Sequence, residues 1–153
     1  MMVWIDSVAW ATQMMTCFYM TGVILIIQLI HYPSFVLIDR AKFGSFHLQH
    51  TSALGLIAAP AMCGELASAF WIAKGSNWIM ILNCAAVLLL WFITFFVSVP
   101  AHNRLAAGFD ENAWGRLTKT NWLRTGLWVI RSGFLLTLLI SDLMVSASKT
   151  VAT

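Results

Sequence analysis

The sequence predicts an all-α integral membrane protein that folds as an antiparallel four-helix transmembrane bundle. Composition is the first reason: 60% of the 153 residues are hydrophobic and 10% are charged, whereas a soluble domain has about 45–50% apolar and about 25% charged residues. The second reason is four apolar runs, because a helix that crosses a bilayer needs about 20 apolar residues. We predict spans at residues 8–31, 50–73, 78–100 and 121–145 of a single domain, residues 1–153.

The length of these runs indicates helices, because the strands of a membrane barrel are about half as long and alternate in polarity. The first run lacks a preceding basic segment and a small-residue cleavage site, so we interpret it as a retained helix. The short turn expected at residues 75–77 makes the second and third helices antiparallel neighbours. Small residues such as Gly64, Ser68, Gly126 and Gly133 are expected to permit close contact between helices.

Two prolines and one glycine suggest where helices are interrupted. Pro33 and Pro100 are expected to end or kink the first and third helices, because proline has no N–H to donate. The residues after Pro100 still read as helical, and Gly108 reads as their stop. Asp110 is a candidate N-cap for a helix that continues into the fourth span.

The distribution of Lys and Arg predicts the orientation, because cytoplasmic loops are enriched in them. We predict a multi-pass protein of a bacterial inner membrane with both termini on the non-cytoplasmic side. The bilayer is then the main partner, and nucleic acid is excluded because the net charge of +3 comes with no basic run. Basic residues on the predicted cytoplasmic side are Arg40, Lys42, Arg104, Arg116, Lys119 and Arg124, against Lys74 and Lys149 on the opposite side.

Polar residues within the spans mark the faces that point into the bundle, because an unsatisfied polar group in hydrocarbon costs several kcal/mol. Each span was projected on the 3.6-residue helical period. The predicted inner stripes are Gln13, Cys17, Ile24, Gln28 and His31 on helix one; His47, His50, Leu54, Ala58, Ala61 and Glu65 on helix two; Cys84, Leu88, Trp91, Phe95, Ser98 and His102 on helix three; and Asn121, Arg124, Trp128 and Arg131 on helix four.

All four histidines are expected at one depth. His31 ends the first span, the stretch FGSFHLQH with its two histidines begins the second, and His102 follows the third. A rise of about 1.5 Å per residue places these positions within roughly two helical turns of one another. The residues predicted to line one pocket at this depth are His31, His47, His50, His102, Asn103, Asn121 and Arg124.

Such a layer of histidines suits a metal ion or a haem. Three or four neutral imidazoles are good ligands for copper, iron or zinc, and two axial histidines suffice for haem. We therefore predict a transition metal held by His31, His47, His50 and His102, or a haem bound through His31, His50 or His102. With neither cofactor, the same rings would act as acids and bases, or would be interfacial residues bonded to backbone carbonyls or to Tyr32 and Asp39.

Arg124 and Asn121 are the predicted catalytic residues. A cation and an amide donor in a water-poor site stabilise negative charge on an oxygen atom. The lipophilic ligands whose oxygen they would bind are a quinone, a phenol or a carboxylate.

A second polar layer is expected deeper in the membrane. Glu65 and Arg131 each lie on the inner stripe of their helix, and a lone charge at that depth is costly. We predict a Glu65–Arg131 ion pair, assisted by Gln13 or Asn83. Its role is a structural lock between helices, and the alternative is a substrate or proton site.

Five segments resemble a family of small, largely uncharacterised bacterial membrane proteins with four spans: HYPSF, FHLQH, PAMCGE, VPAHNRLAAGFD and LTKTNWLRTGLWVIR. The resemblance covers nearly the whole chain and implies the fold but no activity. The layout is also distantly similar to that of anthrone-oxygenase-like membrane proteins, which implies oxidation of an aromatic or lipidic substrate. Matching positions are His31, Tyr32, Pro33, His47, His50, Pro60, Glu65, Pro100, His102, Asn103, Asn121, Trp122, Arg124 and Arg131.

The function these observations favour is redox chemistry on a lipophilic small molecule at a cytoplasm-side intramembrane pocket. The alternative is a non-catalytic membrane subunit or assembly factor, in which the polar residues only hold the bundle together. A homo-oligomer or a larger membrane complex is compatible with both. A small transporter is disfavoured, because transporters commonly move one structural repeat against another, and these four short spans contain no internal repeat.

Overall fold

The computed structural model describes residues 4–75 and 77–151, and these residues form four long helices packed against one another. Helix α1 spans Trp4–Leu37, α2 spans Phe43–Ala73, α3 spans Trp78–Ala106 and α4 spans Glu111–Val151. All four are long and apolar enough to cross a membrane. The predicted four-helix transmembrane bundle is confirmed, and the chain is a four-span membrane protein.

The helices continue past the predicted spans, chiefly at the end where the histidines lie. Helix α2 begins at Phe43 rather than at residue 50, and α4 begins at Glu111 rather than at residue 121. The predicted spans included only continuous apolar sequence. Outside the hydrocarbon core of the bilayer, however, a helix can continue with a single apolar face. Buried Phe43, Leu105 and Leu117 provide that face here.

Pro33 and Pro100 were expected either to end or to kink their helices. Neither proline ends its helix. Each follows a five-residue π-helical segment, Ile27–His31 in α1 and Thr94–Ser98 in α3. Proline cannot donate a hydrogen bond, and its ring crowds the carbonyl four residues earlier. A wider π turn just before the ring accommodates both effects and adds one residue to the turn. Side chains beyond each segment are therefore rotated relative to an unbroken α-helix.

The predicted interruption after α3 is confirmed at residue level. Gly108 has a φ of 139°, a conformation that favours glycine. The Asp110 carboxylate accepts a hydrogen bond of 2.7 Å from the Ala113 N–H and so caps α4. At the opposite end, the Asn77 side chain caps α3 by accepting from the Ile79 N–H at 3.0 Å. Ser76 of the predicted turn lies outside the described residues.

The helices form a ring in which α1 contacts α2 and α4, and α3 contacts the same two helices from the other side. The core includes the buried side chains of Met20, Ile24 and Trp128. Leu88 and Phe95, predicted to face inward, are exposed, and α3 instead buries Val87 and Leu90. Residues 85–93 of α3 are all apolar, so polarity could not distinguish its inner face.

Only part of the predicted small-residue contact is present. A Cβ atom at Gly64 would meet the Thr16 and Thr12 methyl groups at 3.5 and 3.6 Å, which is ordinary van der Waals contact, so Gly64 faces α1 at the helix interface. Gly126 and Gly133 have no neighbour within 4 Å of that position. Both lie away from helix contacts, which corrects the expectation for α4.

Candidate functional site

The structure brings the four predicted histidines into one cluster, to which α1, α2 and α3 contribute. We call His31, His47, His50 and His102, together with Tyr32, the histidine layer. His47 Nε2 lies 3.1 Å from His102 Nδ1, and His102 Nε2 lies 3.1 Å from the Tyr32 hydroxyl oxygen. The hydrogen bonds form a chain from Tyr32 through His102 to His47.

The other two rings stack beside this chain. The His31 and His50 ring centroids are 4.2 Å apart with an interplanar angle of 27°. Phe35, a fully buried residue of α1, presents its edge to His50 at 5.2 Å and to His47 at 6.0 Å. Phe35 therefore packs against both of these imidazoles.

Several imidazole nitrogens in the layer lack hydrogen bonds. His31 Nε2, His47 Nδ1 and His50 Nε2 are buried and have no partner among the described residues. Within the same part of the chain, no three His, Cys, Asp or Glu side chains are arranged to hold a metal ion. The rings are therefore adjacent, but their free nitrogens do not converge on one point in this arrangement.

Arg124 and Asn121 lie next to the histidine layer on α4. Asn121 is fully buried; its amide donates to Gln28 Oε1 at 2.9 Å, and its carbonyl accepts from Arg124 Nη1 at 3.2 Å. Arg124 Nη1 also donates to the Ser98 hydroxyl at 3.4 Å, and the guanidinium interacts with the Tyr32 hydroxyl. Asn121 thus positions the guanidinium rather than facing open space.

A cavity of about 430 Å³ adjoins the histidine layer, and we call it the lateral cavity. Its lining includes Arg124, three of the histidines and Asn103, whereas neither His31 nor Asn121 lines it. The pocket predicted from the sequence is thereby divided, because these two residues lie behind its wall. The residues that line the lateral cavity are Met20, Ile24, Ile27, Tyr32, His47, His50, Thr51, Leu54, Gly55, Ala58, Ala59, Met62, Trp91, Thr94, Phe95, Ser98, Val99, His102, Asn103, Ala106 and Arg124.

A second cavity of about 440 Å³ lies between α1 and α2 and contains His31. His50 lines both cavities, as do Ile27 and Leu54. The stacked His31–His50 pair therefore stands in the partition between two apolar spaces.

The deeper polar layer contains the ion pair expected from the sequence. Arg131 Nη1 donates to Glu65 Oε1 at 2.6 Å, and its Nε donates to Asn83 Oδ1 at 3.1 Å. The Trp128 indole N–H donates to the same carboxylate at 3.2–3.3 Å. Gln13 lies close by and accepts from the Ser68 hydroxyl at 2.9 Å. Of the two predicted assistants, Asn83 therefore contacts the pair directly.

Two residues of these layers make contacts that the sequence indicated only in part. Tyr32 was considered as a hydrogen-bond partner of interfacial histidines, and its hydroxyl oxygen lies 3.1 Å from His102 Nε2. Tyr32 follows His31 directly, so a helical projection places it on a different face. The π-helical segment before it changes that face, and Tyr32 becomes fully buried. Trp128 was placed on the inner stripe, but its bond to Glu65 depends on ring orientation, which sequence does not give.

The fold and its buried layers define a multi-pass membrane protein of four spans with two polar sites inside the bundle. Comparisons with protein-family models, with curated proteins and with solved structures give no match for this chain. The resemblance to small bacterial four-span proteins therefore stays a prediction, and the function has to be argued from the residues themselves.

Proposed function

We propose that the histidine layer binds one transition-metal ion and that the protein carries out redox chemistry on a lipophilic molecule in the lateral cavity. The observation that carries this proposal is the set of unpaired nitrogens on His31, His47 and His50. Each buried polar atom without a partner costs about 1–3 kcal/mol. A bound ion would use the lone pairs of neutral imidazoles and so remove this cost, once the rings have turned so that their nitrogens converge.

The ring arrangement favours a single ion over a haem. Axial histidines bind haem iron from opposite faces of a flat macrocycle, so the two rings must be separated by its plane. Here His31 stacks directly on His50, and His47 is within hydrogen-bonding distance of His102. A single ion needs only that neighbouring imidazoles lie side by side, as these rings do, with no macrocycle between them.

The residues of α4 would act on the substrate. Arg124 lines the lateral cavity and would bind an oxygen atom of the lipophilic molecule, where its charge stabilises negative charge. Asn121 is proposed as a positioning residue, because it reaches the cavity only through Arg124. A purely structural role would account for the hydrogen bonds from Tyr32 through His102 to His47, but it gives no function to the unpaired nitrogens of His31 and His50.

Metal analysis tests the proposal. Protein purified without added chelator is expected to contain about one equivalent of copper, iron or zinc, measured by elemental analysis. Copper or iron would support both the metal site and the redox chemistry, whereas zinc would support the site and refute the redox chemistry, because zinc does not change its oxidation state. His50→Ala and His47→Ala are expected to lower the metal content at least fivefold while the variants still elute as folded protein. Gln49→Ala, the exposed neighbour of His50, is the matched control and should keep the metal. A wild-type protein with less than a tenth of an equivalent and no Soret band would refute the proposal.

We also propose that the histidine layer lies on the cytoplasmic side of a bacterial inner membrane. Arg40, Arg104 and Arg116 are exposed at that end of the bundle, in agreement with the enrichment of cationic residues in cytoplasmic loops. Alkaline phosphatase fused after Thr153 should then be active in cells, because its disulfides form outside the cytoplasm. The same enzyme inserted after Gly108 should be inactive, and the reverse pattern would contradict this orientation.

A further inference from the structure

The polarity of the lateral cavity changes along its length. Helix α2 contributes His47 and His50 at one end and Ala58 and Met62 at the other. Met62 lies 15 residues after His47, which corresponds to about 22 Å of helix axis. The polar end lies near the end of the bundle, and the apolar end lies deeper in the membrane. A lipid in one leaflet is arranged in the same way, with its polar head group near the membrane surface and its hydrocarbon chain deeper.

The lining of the cavity follows one helix over a considerable length. It runs along α2 from His47 to Met62, and the cavity has a volume of about 430 Å³. An extended hydrocarbon chain with a polar head group matches this length and this order of polarity. The lining therefore favours a chain-like molecule.

The polar end carries a charge that the described residues do not balance. Arg124 is 7% exposed, and the one ion pair found between residues 4 and 150 of the described chain is Glu65–Arg131. The Arg124 guanidinium contacts only neutral groups, and its buried Nε has no hydrogen-bond partner there. Buried charges in membrane helices are normally paired. An anionic head group at this position would supply the missing charge.

The mouth of the cavity faces the bilayer. Gly55 and Ala59 on α2 and Phe95 and Val99 on α3 line the cavity and are also exposed. A Cβ atom at Gly55 would have no neighbour within 4 Å, so the gap between the helices is open there. A molecule dissolved in the membrane can enter sideways without crossing water.

We propose that the lateral cavity binds a single-chain fatty acid, with its carboxylate at Arg124 and its hydrocarbon chain directed past Gly55 toward Met62. Ser98 and Tyr32 place hydroxyl groups beside the same guanidinium and can donate to the carboxylate. This inference rests on the proposed function, because it names the class of lipophilic molecule that the site would receive. It concerns binding only and holds with or without a metal in the histidine layer.

The experiment measures binding of radiolabelled palmitate to the protein in phosphatidylcholine nanodiscs. Saturable binding of about one palmitate per chain is expected, with hexadecanol competing at least tenfold more weakly because it has no charge. Arg124→Gln should weaken binding of palmitate at least tenfold and leave that of hexadecanol unchanged. Equal competition by hexadecanol, or stronger competition by ubiquinone or phosphatidylglycerol, would overturn the proposal in favour of a neutral or a two-chain ligand.

A second pair of variants keeps the inference testable if the Arg124 variant does not fold. Gly55→Leu should place a side chain in the mouth of the cavity and lower palmitate binding at least fivefold. Gly22→Leu is the matched control, because Gly22 is also exposed and without neighbours but lies outside both cavities. Equal binding by the two variants would contradict the lateral path. Binding measured before and after removal of metal separates this outcome from failure of the metal proposal.

Discussion

Glu65→Ala is expected to lower the free energy of unfolding by about 3–5 kcal/mol, because it leaves the Arg131 charge buried without a counterion. The carboxylate accepts hydrogen bonds from both Arg131 and Trp128, and all three side chains are buried. The bilayer offers no water to replace these bonds. Reversible unfolding in mixed micelles with increasing SDS measures the change.

The double variant Glu65→Leu/Arg131→Met is the informative comparison. Removing both charges eliminates the attraction and the desolvation cost together, so this variant should be more stable than either single variant by about 2 kcal/mol or more. Arg116→Met removes an exposed arginine from the same helix and should change stability by less than about 0.5 kcal/mol. Strictly additive effects of the two single substitutions would mean that the pair does not act as a unit.

The ion pair also illustrates what sequence reasoning can predict. Glu65 and Arg131 are 66 residues apart, and no local pattern connects them. Their pairing followed from depth, helix face and the cost of an isolated charge in hydrocarbon. The same argument placed His31, His50 and His102 at one level, and the structure brings these rings together. The depth of a residue in the membrane follows from its position along a span. The free-energy cost of an isolated charge follows from that depth, so both can be inferred from the sequence.

The arrangement within each layer could not be predicted in this way. The two π-helical segments change the direction of Tyr32 and of the end of α3, and no rule of period 3.6 anticipates them. Whether His31 lines the lateral cavity depends on the stacking of its ring on His50. Such orientations are set by contacts between helices, and those contacts are not encoded in any single helix.

The two polar layers are joined by one residue, Trp128. Its indole N–H donates to Glu65 in the deeper layer, while the Arg124 guanidinium carbon lies 5.3 Å from the centre of its ring. Arginine over the face of an aromatic ring is stabilised by about 0.5–2 kcal/mol. The Trp128 ring therefore stabilises part of the Arg124 charge at the lateral cavity, and its indole N–H donates a hydrogen bond to the ion pair.

Trp128→Ala should consequently have an effect as large as loss of Glu65. Trp128 is fully buried in the core, and replacing a buried tryptophan with alanine typically costs about 3–5 kcal/mol. Trp128→Phe retains an aromatic ring but removes the donor to Glu65, so a smaller loss of about 1–3 kcal/mol is expected. The same SDS unfolding assay measures both variants, and Trp122→Ala, at an exposed position on the same helix, provides the control.

Palmitate binding by Trp128→Phe distinguishes the two contacts of this side chain. The phenyl ring still lies beneath Arg124, so the affinity for palmitate should change less than threefold even though the bundle is less stable. A tenfold loss of affinity in this variant would mean that the indole N–H, and with it the Glu65 carboxylate, controls the position of Arg124. The two polar layers would then be energetically coupled through Trp128 rather than merely adjacent.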